Sequence, residues 1–218
     1  MLFTSFAFAH STNFREHMQM IARQVQPDDL DAVVATITSA FFRDPLWAPA
    51  FPDEARRSEQ SSQLWRLFAS SAQRYPWTFM SENASAVAVW LPPGGTELTD
   101  AQHASFDDFI VGVVGDAGAL EIQSISTQLE QARPAEPHFS LSLLATHYDH
   151  RGQGLGMRVL RESLQRIDEL GSPAYLESSN PANDVRYQSV GFEPQDRLVM
   201  ASGHVVTTMW RAGRISAP

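Results

Sequence analysis

The chain has 218 residues, 43% hydrophobic and 19% charged, which is enough for one well-buried core and marks an ordinary globular domain. Cys is absent, which excludes disulfides, thiolate metal sites and a cysteine nucleophile, and no metal cofactor is expected. The formal charge is −9 and every basic residue is Arg, with no Lys, so there is no basic stripe of the kind that holds nucleic acid.

Residues 1–19 carry neither a cationic start nor a clear periodicity and are taken as an N-terminal extension, with a single domain over 20–218. Met20 to Val25 predicts a first strand. Leu30, Val33, Val34, Ile37 and Phe41 recur at helical spacing, with Asp28 or Asp29 as cap and Pro45 as stop. A second helix is expected from Pro52-Asp53 to about Tyr75, carrying Leu64, Trp65 and Phe68. Trp77–Ser81 and Ala86–Leu91 read as paired strands around the turn 82–85, stopped by Pro92-Pro93-Gly94-Gly95. A helical insert follows, in which Phe106, Phe109, Ile110 and Val113 share one face. Phe139 to Thr146 is an apolar run of the kind that forms a central strand. Residues 153–170 predict an amphipathic helix, with Met157, Leu160, Leu164 and Ile167 inward. Ala174–Glu177 then reads as a strand, Ala182–Val190 as a short helix and Gly203–Arg211 as a last strand. The expected class is α/β, or mixed α+β, with a mixed sheet. No run of about 18 apolar residues is present, so no membrane span is expected, and a cytoplasmic location fits.

The stretch Thr146 to Met157 carries the strongest chemical signal: a strand, a turn, then glycines opening an amphipathic helix. Such a helix start leaves amides aimed outward at the positive end of the dipole, where a pyrophosphate binds, and Arg151 can add a charge-assisted contact. A dinucleotide loop of the form G-x-G-x-x-G has Met157 at its third glycine position, although Glu177 after the next strand imitates a ribose-binding acid. A nucleotide P-loop is excluded, because no G-K-[ST] follows.

Arg151-Gly152-Gln153-Gly154-Leu155-Gly156 resembles the [QR]-x-x-G-x-[GA] loop of the GCN5-related (GNAT) acetyltransferases. A second signature of that superfamily follows: Tyr175-Leu176-Glu177-Ser178-Ser179-Asn180-Pro181-Ala182-Asn183, then Tyr187 and Gly191-Phe192. Within the superfamily, Ala86–Trp90, Glu136-Pro137, Asp149–Gly156 and Leu176–Ser178 are most similar to puromycin N-acetyltransferase-like actinobacterial enzymes.

The resemblance implies a mostly antiparallel sheet splayed at an acetyl-CoA site, with acetyl-CoA as cosubstrate. Backbone at Leu144, Ala145 and Thr146 would pair with the pantetheine arm. Arg151, Gly152, Gln153, Gly154, Leu155, Gly156 and Met157 would hold the pyrophosphate. Asn180 or Asn183 would touch the arm or cap the following helix. Tyr187 would be the general acid toward the leaving thiolate, and Glu177 the base for the amine. His147 is a second candidate base and a candidate acceptor contact. Tyr148 stands where the family usually has Pro.

For the acceptor, Asp44, Trp47, Phe51 and Trp90 are candidate contacts for a cationic, partly apolar amine. The expected reaction is direct acetyl transfer to the primary amine of a small molecule, antibiotic-like or a metabolite, by a monomer or homodimer. The alternatives are a peptide or protein N-terminal acetyltransferase and a non-catalytic acyl-CoA-binding sensor.

Overall fold

A computed structural model describes residues 22–214. The extension expected over 1–19, and Met20 and Ile21 of the first strand, lie outside the described residues. Seven strands form one sheet in the order β1-β2-β3-β4-β5-β7-β6. They are β1 (Ala22–Gln24), β2 (Thr78–Ser81), β3 (Ala86–Leu91), β4 (Phe139–Thr146), β5 (Ala174–Ser178), β6 (Glu193–Val199) and β7 (Val205–Arg211). Only the central β4–β5 pair is parallel; every other neighbour is antiparallel. Helices α1 (Leu30–Phe41), α2 (Glu54–Ala72), α3 (Asp100–Ala104), α4 (Phe106–Ala132), α5 (Leu155–Glu169) and α6 (Asp184–Gln188) complete the fold.

Strand alternation divides the core between the two faces of the sheet. In β3, Val87 and Val89 face a core with Ile37 of α1 and Leu64 and Trp65 of α2. Ala86, Ala88 and Trp90 face the opposite way, onto Val159, Leu160 and Leu164 of α5. In β4 the alternation is broken. Leu141 faces the α5 side and Leu143 the α1 side, although residues two apart normally share a face. The cause is a bulge: Val89 pairs with Leu143 and Trp90 with Leu141, leaving Ser142 as the extra residue.

Two local expectations are corrected. Neither Asp28 nor Asp29 caps α1 with its side chain. Asp29 instead receives both guanidinium nitrogens of Arg23 at 2.6 Å, which holds its carboxyl down at about 2, and its Oδ2 accepts the Gln26 amide. Strand β6 was not expected, because Glu193-Pro194-Gln195-Asp196-Arg197 is polar, exposed and contains a proline. Those features belong to an edge strand, and they hide the apolar alternation that identifies inner ones.

The insert between β3 and β4 folds back on itself. Gln123 Nε2 donates to Asp107 Oδ1 at 2.8 Å, whereas 16 residues of straight helix would separate them by about 24 Å. The reversal falls at Gly115, with φ 73° and ψ 175°, a backbone region reserved almost entirely for glycine. By length and composition Phe106–Ala132 is apolar enough to cross a membrane, but neither arm of the hairpin has the roughly 20 residues that a bilayer core requires. The two arms dock on the turn at Ala48–Ala50 and on α2, where Gln60 Nε2 donates to the Val113 carbonyl at 2.9 Å.

Candidate active site

β4 and β5 run side by side only from Phe139–Leu141 against Ala174–Leu176. Beyond that rung they part. β4 continues to Thr146 paired with β3 alone, and β5 continues to Ser178 paired with β7 alone. The edge of β4 at Leu143, Leu144, Ala145 and Thr146 therefore turns toward β5 without a strand to pair with. An extended ligand carrying amides can complete such an edge as a strand would.

At the end of β4 the chain makes a short turn, Tyr148–His150, and enters α5. Gly154 is the N-cap, with φ 74°, and no side chain caps the helix. The first-turn amides, which lack intrahelical partners, are therefore left for a ligand. Gly156 sets how closely α5 approaches β4: a Cβ there would lie 2.5 Å from Thr146 Oγ1. This close approach places the free strand edge beside the uncapped helix terminus. Arg151 braces the loop by donating from Nη2 to the Ala40 carbonyl at 2.6 Å, with its guanidinium 5.6 Å from the centre of the Tyr148 ring. The Tyr148 amide donates to Ser39 Oγ at 3.0 Å, which ties the turn to α1. Gln153 and Met157 belong to the same loop and first helical turn.

Glu177 follows the last β4–β5 rung directly, on the face of β5 that also carries Tyr175. Its Oε1 is buried without a hydrogen-bond partner. Burial pushes its carboxyl up to about 7, opposed by the charge of Arg133 and the Tyr175 hydroxyl and reinforced by Glu97. Tyr187, on α6, packs against the α5-side core with its ring centre 6.4 Å from that of Phe192. Its hydroxyl is pushed up to about 12 by burial, and the carboxylates of Asp44 and Asp184 act in the same direction.

Asp44 thus lies within electrostatic reach of Tyr187. It accepts from Ser179 Oγ at 2.7 Å and from the Leu46 and Trp47 amides at 3.0 and 3.3 Å. Burial nevertheless raises its proton affinity.

The other expected acceptor residues are placed differently. Trp47 is buried, edge-on to Trp65 at 5.3 Å, and Phe51 is buried in the same core. Trp90 is fully buried on the α5 face, donating from Nε1 to Ser163 Oγ at 3.0 Å. These aromatics supply the core's largest side chains, and sequence alone does not distinguish an aromatic that packs from one that lines a pocket.

His147 Nδ1 accepts the Asp149 amide at 3.4 Å and caps the 148–150 turn. No contact joins it to Glu177 or Tyr187. Asn180 caps the 181–183 turn through Ala182 at 3.1 Å, and Asn183 accepts from Arg186 at 3.2 Å.

Three polar residues that the sequence did not mark stand beside Glu177. Ser142 Oγ donates to Glu97 Oε2 at 2.9 Å, and Arg133 Nη2 lies 3.5 Å from Glu97 Oε1. Glu97 precedes the helical insert and Arg133 follows it, so the ends of the insert meet here. Neither lies in a motif, and only the fold brings them together. A cleft of about 440 Å³ opens nearby between Gln128, Gln131 and Ala132 of α4 and Asp196–Val199 of β6. It is lined also by Thr208, the β7 partner of Glu177, though by neither Glu177 nor Tyr187 itself. A second cavity, about 720 Å³, lies between α1, α2 and the Tyr148–Arg151 turn and includes neither Glu177 nor Tyr187 in its lining. Among the described residues no group of three or more His, Asp or Glu is gathered to hold a metal ion.

No family model matches the sequence. Solved structures do. The "histone acetyltransferase HPA2 and related acetyltransferase" of Corynebacterium glutamicum matches over 90% of this chain and 98% of its own, at 20% identity and a TM-score of 0.67. Arylalkylamine N-acetyltransferase 2 of Aedes aegypti covers 88% and 97% at 12% identity, with a TM-score of 0.58. A chain of the NatC complex bound to Gag peptide and CoA covers 88% and 97% at 10% identity, with a TM-score of 0.52. Their shared architecture, a mostly antiparallel open sheet flanked by helices, is the architecture found here. The chain has the fold of the GNAT acetyltransferases.

Proposed function

We propose that the protein is an N-acetyltransferase that moves the acetyl group of acetyl-CoA directly to the primary amine of a small molecule. The observation that carries this reading is the parting of β4 from β5 beside the uncapped start of α5. The residues present fit acetyl-CoA as cosubstrate. Leu144, Ala145 and Thr146 would pair with its pantetheine amides, and the Gly152–Met157 amides with Arg151 would hold the pyrophosphate. The thioester supplies the activated acetyl group.

Glu177 takes one proton from the incoming ammonium, whose nitrogen then forms a bond to the thioester carbonyl carbon. Collapse of that adduct breaks the C–S bond, the second nitrogen-borne proton passes to sulfur, and Glu177 returns its proton to solvent. Tyr187 hydrogen-bonds the departing sulfur. With its hydroxyl at about 12 against about 8.5 for a thiol, complete transfer of its own proton is uphill by about 5 kcal/mol. Its role is therefore to stabilise the developing thiolate rather than to hand over its proton outright.

A small acceptor is favoured by the cleft of about 440 Å³ that reaches Thr208, the β7 neighbour of Glu177, a volume within the range of small-ligand sites, and by the C-terminal end of the insert that lines it. Kinship with puromycin N-acetyltransferase-like enzymes, drawn from Ala86–Trp90 and Asp149–Gly156, points to an antibiotic-like or metabolite amine. We place the protein in the cytoplasm, where acetyl-CoA is available.

The test is a mass-spectrometric screen of acetyl-CoA against aminonucleosides, aminoglycosides, polyamines, amino acids and short peptides, with Tyr187→Phe in parallel. One small amine should gain an acetyl group, with kcat about 10²-fold lower in the variant and KM for acetyl-CoA little changed. Acetylation confined to peptide N-termini, or acetyl-CoA binding without any product, would overturn the small-molecule reading.

A further inference from the structure

Glu97 and Arg133 are separated by the whole α3–α4 insert, yet they meet 3.5 Å apart beside the β4 bulge. Glu97 spends its other oxygen on Ser142, the extra residue of that bulge, at 2.9 Å. Two polar atoms here are buried without partners: Arg133 Nε and Glu177 Oε1. A guanidinium N–H and a carboxylate oxygen each buried without a partner are costly, and pairing with each other would satisfy both. The ion pair that Arg133 makes is with Glu97 instead.

We propose that Glu97 is a positioning residue for proton removal from the acceptor: it pins the bulge through Ser142 and draws Arg133 away from Glu177, leaving the Glu177 carboxyl open to the amine. This rests on the reading of Glu177 as the proton acceptor.

The groups that face Glu177 can be named element by element. The end of α4 contributes Arg133, and the loop after β3 contributes Glu97. β5 itself contributes Tyr175, against which His138 packs at 5.3 Å. β4 offers Ser142, and β7 offers the neutral Thr208, behind which stands Asp196 of β6. Arg133 is the one cation in this set, so its allocation between two carboxylates decides whether Glu177 is neutralised. A full pair with Arg133 would turn Glu177 into an ordinary surface-type carboxylate, ionised at neutral pH but a poor proton acceptor. Glu97 competes for that cation and also places a like charge near Glu177, and both effects keep Glu177 proton-hungry. The bland alternative is that Glu97 and Arg133 merely clasp the ends of the insert.

The test is a carboxyl titration by NMR on the full chain labelled with ¹³C-glutamate. The resonance missing in Glu177→Gln identifies Glu177, which should titrate near pH 7 in the native sequence. In Glu97→Gln its midpoint should fall by about one pH unit or more, as Arg133 swings across. In Arg133→Gln it should rise by a similar amount. A clasp in which Arg133 stays fixed leaves only the loss of one nearby charge in Glu97→Gln, and the midpoint then falls by clearly less than the unit expected when Arg133 also swings across. A Glu177 midpoint unmoved, raised or lowered by only that lesser amount in Glu97→Gln overturns the proposal. Should that variant not fold, a midpoint unmoved or lowered in Arg133→Gln overturns it equally. Retention of full acetyl transfer by Glu177→Gln would instead defeat the reading of Glu177 as proton acceptor, a result separate from the titration.

Discussion

Burial acts on Glu177 and Tyr187 in the same direction but with opposite uses. For Glu177 it raises a carboxyl into the range where it can both accept and release a proton near neutrality. For Tyr187 it keeps the phenol protonated across the working range. The activity should therefore rise with pH through about 7 as Glu177 ionises, and Glu177→Gln should abolish that dependence in kcat/KM. The same shift has a stability sign. Glu177 has a folded value of about 7, above its ordinary 4.5. Its contribution is fully present below pH 4.5 and is lost as pH rises through 7. Glu177→Gln should therefore melt higher than the native protein at pH 8, by about 2–4 °C for each 1 kcal/mol recovered, and alike at pH 4. A variant that is more stable but much less active is the expected signature of a carboxyl buried for use rather than for stability.

At the scale of elements, two glycines decide geometry. Gly156→Ala would put a methyl 2.5 Å from Thr146 Oγ1, forcing α5 away from the free edge of β4. Acetyl-CoA affinity, measured by calorimetry, should fall at least about tenfold, as expected when a loop and a strand edge that bind one ligand lose their spacing. Gly115→Ala would force a side chain into the hairpin's reversal and should destabilise by about 1–3 kcal/mol in chemical denaturation. Gly112→Ala, at an open helical position, should be neutral or slightly stabilising by comparison.

The inner elements were legible because their residues repeat. The apolar run at 139–146 is β4 to the residue, and the 3.6-residue period over Met157–Ile167 gives α5. The hairpin was not legible, since glycines stand at 112, 115 and 118 and nothing in the sequence singles out Gly115 as the fold-back. At the site, Glu177, Tyr187 and the glycine loop sit inside motifs. Glu97, Arg133 and Ser142 are spread over 46 positions and meet only because a bulge and a helical insert converge.

The whole molecule joins two cores across one sheet and opens that sheet at its single parallel pair. The α1–α2–α4 side holds the larger aromatic cluster, and the α5 side supports the glycine loop at 152–156. Arg211 ties the far end of this arrangement, donating to both Asp168 oxygens at 2.6 and 2.8 Å and to the Val190 carbonyl at 2.9 Å. With β7 anchored to α5 in this way, β4 and β5 can part at one end without the sheet coming apart. The central claim is that acetyl-CoA inserts into that opening. The most direct test is an amide NMR titration of the full chain with acetyl-CoA. The largest shifts and new protection should fall at residues 143–146 and 152–157. Shifts confined to the cavity between α1 and α2, or no saturable change at all, would contradict it.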